Sequence, residues 1–253
     1  MRLTNSLYLV GDTPMGITGG GDCHVYLIEG PDGLFLVDAG NGYDTEGLIA
    51  SIEGEGFDPK DISHILLTHH HTDHARGAKA LRDRFGCRVW ISGNTGKYML
   101  EEGSDEELWV NEAKRCGLYA PDYVYIHCKV DHAVQDNEEF DIAGLHILAL
   151  NITGHSPDSM CYVTIIEGRR CMFNGDTFYW GGVLGMLNYP GSDLREYHKS
   201  LPRLKNLRIE ALLPGHGLFC LRGGQDIINS ANANLKAGVF VPYMVGQIPI
   251  SIV

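Results

Sequence analysis

The seven residues Thr68-His69-His70-His71-Thr72-Asp73-His74 constrain this chain more than any other stretch. Four potential metal ligands, His69, His71, Asp73 and His74, fall within six positions, directly after the apolar run Ile65-Leu66-Leu67. A buried strand at that run fixes the backbone, and the loop at its end turns His69 and His71 to one side. Asp73 and His74 then enter the first turn of a following helix. Crowding polar side chains together without partners is costly, so the cluster predicts a bound cation rather than an incidental polar loop. Imidazole and carboxylate are suitable ligands for zinc and its neighbours among the divalent metals.

Three more ligand-type residues follow apolar runs and sit beside glycine: His155 in Thr153-Gly154-His155, Asp176 in Asn174-Gly175-Asp176-Thr177, and His216 in Pro214-Gly215-His216-Gly217. Glycine lets the backbone turn sharply and lets a side chain approach a crowded centre. Taken singly, a loop His or Asp reads as a turn or cap residue. Together with the first cluster, and in this order, they read as one ligand set.

The surrounding pattern gives the fold class. LYLVGD, HVYLIEG and LFLVDAG are apolar runs separated by turn signals, which predicts an early antiparallel meander. Leu48, Ile49 and Ile52 recur at helical spacing, as do Ala78, Leu81 and Phe85, with Gly86 at the expected C-cap. CRVWIS reads as a strand, and 95–117 as helical. FDIAGLHILAL, MCYVTIIEG, RCMFNGD and IEALLPGHG are later strands, with a helix after Ser192 as N-cap, limited by Pro202. Strands and a helix, then strands and a helix, fit two sheets packed face to face with helices outside.

At 253 residues with 44% hydrophobic and 21% charged content, the chain is long enough for a sizeable core. A net charge of −12 makes nucleic acid a poor partner but does not fix the substrate class, and a small-molecule substrate is expected. No apolar stretch has signal-peptide or membrane-span length, so a cytoplasmic enzyme with no membrane partner is expected. The seven cysteines are odd in number, form no CxxC pair and read as reduced core fillers.

HxHxDH followed by GH, GD and GH resembles the metallo-β-lactamase superfamily over about the first 220 residues. The resemblance implies an α/β (α+β) fold, a four-layer αβ/βα sandwich of two mixed β-sheets flanked by helices. It implies a domain over 1–220, with 221–253 adding a C-terminal helix and apolar tail to the same domain. It also implies two divalent metal ions, zinc first, with iron or manganese as alternatives. His69, His71 and His155 would hold one ion, Asp73, His74 and His216 the other, and Asp176 would bridge them. His70 and Thr72 occupy the variable positions. Asp38, in LFLVDAG, matches a family acid that orients a ligand histidine, and reads equally well as a turn residue.

The implied reaction is attack of a metal-bridging hydroxide on an ester-like carbonyl of a lactone, ester or thioester. Asp73 would orient the nucleophile. Tyr179, three positions after Asp176, matches a tyrosine of acyl-homoserine lactone hydrolases and would donate to the oxyanion or leaving alkoxide; packing beneath the metal loop is the alternative. His24, His64, His127, His132, His146 and His198 lack ligand spacing. The loop Gly16–Gly21 is no phosphate loop and reads as a flap. Hydroxyacylglutathione hydrolases share the metal pattern, but Arg222 and Lys236 are the only basic residues after His216, few for holding glutathione. Competing classes are a mononuclear iron persulfide dioxygenase and a nuclease. The apolar stretch from Val239 to Val253 suggests a homodimer contact or a pocket wall.

Overall fold

The computed structural model describes residues 1–117 and 119–238. The apolar tail to which the sequence assigns a dimer contact lies outside the described residues. The chain divides into two compact units. Among the described residues the first comprises Met1–Val134 with Ile142–Gly144, and the second Gln135–Asp141 with 145–238.

The first unit is built on a six-stranded sheet in chain order: β1 (Leu7–Gly11), β2 (Val25–Gly30), β3 (Gly33–Val37), β4 (Ile62–Leu67), β5 (Arg88–Ser92) and β6 (His132–Val134). β1, β2 and β3 are antiparallel neighbours, as the tight turns require, whereas β3 to β6 are parallel. Parallel neighbours need crossovers. These are supplied by α1 (Thr45–Gly54), by α2 (Thr72–Ala75) with α3 (Ala78–Phe85), and by α4 (Gly93–Glu102) with α5 (Val110–Arg115). Asp44 caps α1 by accepting from Gly47 N, and Gly86 ends α3 in the left-handed region at φ 77°. Val10, Leu27, Leu36, Ile65 and Val89 share one sheet face with Leu48, Ile52 and Leu81 of the helices. On the opposite face Leu9, Tyr26, Phe35, Val37 and Leu66 are also buried, which is why these strands read as unbroken apolar runs.

The second unit carries a five-stranded sheet in the order β13-β10-β9-β8-β7. Its strands are β7 (Glu139–Ile142), β8 (Leu145–Asn151), β9 (Met160–Ile166), β10 (Arg169–Gly175) and β13 (Ala211–Pro214). Between β10 and β13 come the short hairpin β11 (Phe178–Tyr179) and β12 (Val183–Leu184), then α6 (Leu194–Ser200). α7 (Gly224–Ala237) follows the sheet. β13 is parallel to β10, and β8, β9 and β10 are antiparallel in turn. Ile228, Ala231 and Leu235 of α7 and Tyr197 of α6 pack with Val163, Met172 and Leu212 of the sheet. The class is α/β, with mixed sheets flanked by helices.

Three local expectations change. FDIAGLHILAL is two strands, because Ala143 and Gly144 turn at φ 52° and 75°. The N-cap of α6 is Asp193, which accepts from Arg195 N, while Ser192 Oγ donates to Gly154 O at 3.1 Å. The helical stretch 95–117 is two helices. Among the described residues no helix is long and apolar enough to cross a membrane.

His64, in β4, packs edge-on to Trp90 at 5.1 Å, and burial lowers its imidazole from 6.5 to about 4. The unfolded chain takes up this proton as pH falls through 6.5, whereas the folded protein does so only near 4. Stability tied to His64 is therefore whole above 6.5, declines across that window and falls no further below it. Denaturation of metal-free protein should show His64→Leu losing roughly 2 kcal/mol less than the parent between neutral pH and about pH 4.5. Equal losses would place the acid sensitivity elsewhere.

Candidate functional site

Each unit gathers part of the predicted ligand set, at the carboxyl ends of its strands. In the first unit the loop 68–71 leaves β4 beside the end of β3, since Val37 pairs with Leu66 in parallel register. Asp38 follows β3 at φ 63°, a left-handed conformation that Asp tolerates better than most residues. That turn aims its carboxylate at Thr68 and His74. Asp38 Oδ1 accepts from Thr68 N at 2.8 Å, and Oδ2 lies 2.9 Å from His74 Nδ1. Thr68 Oγ1 donates to the same carboxylate at 3.0 Å and lies 3.0 Å from His69 Nδ1. Its single proton is committed to Asp38, so it accepts from His69.

One buried carboxylate thus holds the Nδ1 protons of two imidazoles, directly for His74 and through Thr68 for His69. Each then presents an unprotonated Nε2, the form a metal requires. Of the two readings of Asp38, orientation of the histidines is what the geometry displays. The rings of His69 and His71 lie 4.5 Å apart and those of His69 and His74 4.2 Å apart. His74 Nε2 is 3.6 Å from Asp73 Oδ2. His69 and His74 are buried, and His71 and Asp73 are half-exposed. Cys23 Sγ comes within 4.8 Å of Asp38 and His74. Burial pushes its thiol well above its ordinary range, so it packs as a neutral group.

In the second unit, β8 and β10 run in the same direction, because both are antiparallel to β9, and β13 runs parallel to β10. The loops carrying His155, Asp176 and His216 therefore leave one edge of the sheet. Asp176 Oδ2 lies 3.8 Å from His155 Nε2 and 3.5 Å from His216 Nε2. His155 Nδ1 donates to Gly185 O at 2.5 Å, which again places the ring proton on Nδ1. Position 185 must be glycine: a Cβ there would stand 1.7 Å from Asp176 O. Gly154 is fixed likewise, since its Cβ would meet the Tyr197 ring at 2.3 Å. Tyr179 is buried in β11, two residues past the Thr177 carbonyl that receives the Tyr197 hydroxyl at 2.7 Å.

Two of the histidines without ligand spacing, His24 and His146, are engaged elsewhere. His24 Nε2 pairs with Asp12 at 3.0 Å and its Nδ1 with the Tyr26 hydroxyl at 3.1 Å. His146 lies between Glu139 and Asp141 on the surface. The glycine-rich loop is fastened by its own bonds: Gly21 N and Asp22 N donate to Thr13 Oγ1, and Gly19 N to Asp44 Oδ2. Sequence reasoning missed Thr68 and Gly185, whose roles depend on partners about 30 residues away. The donor set is imidazole and carboxylate with three histidine tautomers fixed by hydrogen bonds, and it fits divalent zinc or a neighbouring metal.

The family model of the metallo-β-lactamase superfamily matches residues 18–216. A hydroxyacylglutathione hydrolase, GloC, of Haemophilus influenzae is 26% identical over 77% of this chain and 84% of its own length. An atrochrysone carboxyl ACP thioesterase of Aspergillus fumigatus is 30% identical over 77% of this chain, but only half of that protein is covered. Among solved structures, BJP-1, a subclass B3 metallo-β-lactamase of Bradyrhizobium japonicum, superposes with TM-score 0.71 at 21% identity. That likeness covers 94% of this chain and 90% of BJP-1, and it shows the shared fold.

Proposed function

Because this chain belongs to the metallo-β-lactamase superfamily, we propose that it is a metal-dependent hydrolase of a small acyl ester, lactone or thioester. In this reading His69, His71 and His155 would hold one zinc ion and Asp73, His74 and His216 a second, with the Asp176 carboxylate available to both. The observation that carries it is the matched preparation of ligands in both units: Asp38 fixes His74, and Gly185 O fixes His155, each with Nε2 unprotonated.

When bound, two divalent ions supply a water deprotonated near neutral pH and a Lewis acid for the carbonyl. Asp73 accepts a hydrogen bond from the attacking water and aims its lone pair. Tyr179 donates its hydroxyl to the oxygen that gains charge as the acyl bond opens. The chain needs no serine or cysteine nucleophile, in keeping with Cys23, Cys87 and Cys161, whose thiols burial holds protonated. The names of the two hydrolase relatives place thioesters beside lactones as the first substrates to try.

The test is a panel of lactones, thioesters, β-lactams and phosphodiesters on metal-quantified protein. Ester-type turnover that a chelator abolishes and zinc restores is expected, and His71→Ala should lose both metal and turnover. Tyr179→Phe should slow lactone opening about 10–100-fold with zinc content unchanged. One iron per chain with oxygen uptake, or turnover indifferent to chelation, would overturn the proposal.

A further inference from the structure

We infer that the segment from Tyr119 to Ile126 is a strap that sets the position of His71, with Tyr119 and Tyr125 as its positioning residues. The inference rests on the reading of His71 as a ligand. His69 and His74 are oriented from the strand ends by Thr68 and Asp38. Both residues that flank His71 are held from outside the loop. Tyr125 Oη donates to His70 O at 3.1 Å, and Tyr119 Oη is hydrogen-bonded to Thr72 Oγ1. These tyrosines come from 55 and 47 residues away.

The strap is itself secured. Tyr123 and Tyr125 are buried while Val124 and Ile126 between and beyond them are exposed, so the alternating side chains turn the tyrosines inward. The Tyr119 and Tyr123 rings stack at 4.3 Å. Arg76, two residues past His74, donates to Val124 O at 3.0 Å and to Asn41 O at 2.8 Å. Its guanidinium lies 4.8 Å from the Tyr43 ring and 5.1 Å from the Tyr123 ring. The loop bearing His71 is thus gripped at positions 70, 72 and 76 by one segment that contributes no ligand.

The full chain carrying Tyr119→Phe and Tyr125→Phe together should bind zinc about 10–100-fold more weakly in competition with a chromophoric chelator, the usual effect of losing an outer support. Its cobalt(II) form should show an altered visible spectrum. Tyr8→Phe, which removes a hydroxyl bond to Asn5 O elsewhere in the unit, should leave both readouts as in the parent. Unchanged zinc affinity and an unchanged cobalt spectrum in the double variant would overturn the strap. If the double variant does not fold, Thr72→Val serves instead: it removes the hydroxyl that faces Tyr119 and Tyr123 of the strap, and unchanged zinc affinity there overturns the inference equally. His71→Ala separates the two readings. Full zinc affinity in that variant would remove the ligand assignment and the strap with it, whereas loss there without loss in the strap variants would sink the strap alone.

Discussion

Asp176→Ala is expected to reduce ester hydrolysis by at least about a hundredfold and to lower bound metal. A bound cation acting on the acyl oxygen is worth several kcal/mol of barrier, and each 1.4 kcal/mol is about tenfold in rate. Asp176 Oδ2 reaches both His155 Nε2 and His216 Nε2, at 3.8 and 3.5 Å. Without it the two imidazoles keep their places, but the anion that would offset the charge of the proposed ions is gone. Metal content and single-turnover rate should fall together. A variant with full metal and a full rate would show that the carboxylate is not shared by the ions and that the second unit's cluster serves packing.

Asp38→Ala should have the largest effect on the metal-free protein. Three buried donors lose their acceptor at once: Thr68 N–H, the Thr68 hydroxyl and His74 Nδ1–H. Each buried donor left unsatisfied costs about 1–3 kcal/mol, and alanine also fits φ 63° less readily than aspartate. A loss of about 3 kcal/mol or more in chemical denaturation is expected. Asp38→Asn separates this from the site's chemistry. The amide keeps the volume and tolerates the left-handed turn, but it presents an N–H₂ group to part of the cluster. It should cost less stability and still weaken zinc binding by roughly 10–100-fold. If Asp38→Asn binds zinc as the parent does, the carboxylate acts only as a turn residue.

The local signals in the chain were of two kinds. Periodicity marked Leu48, Ile49 and Ile52 as one helix face and Ala78, Leu81 and Phe85 as another, and both helices form. Such patterns are legible because a helix face is spelled within ten residues. Signals that depended on one residue's choice of partner were less secure. Ser192 and Asp193 both suit an N-cap, and the choice went to Asp193 because the Ser192 hydroxyl is taken by Gly154 O and Leu187 N.

The types and order of the candidate ligands were written in the chain, because a strand followed by a tight loop and a helix turn places neighbours such as His69, His71, Asp73 and His74 by local geometry alone. Tertiary structure decided what holds them. Asp38 became the acceptor for His74 through the parallel register of β3 and β4, Gly185 the acceptor for His155 through a hairpin, and Tyr119 and Tyr125 the grip on the loop through a segment some fifty residues downstream. Hydrogen bonds act over about 3 Å, so a partner distant in sequence is fixed only when the chain has folded to bring it within that reach.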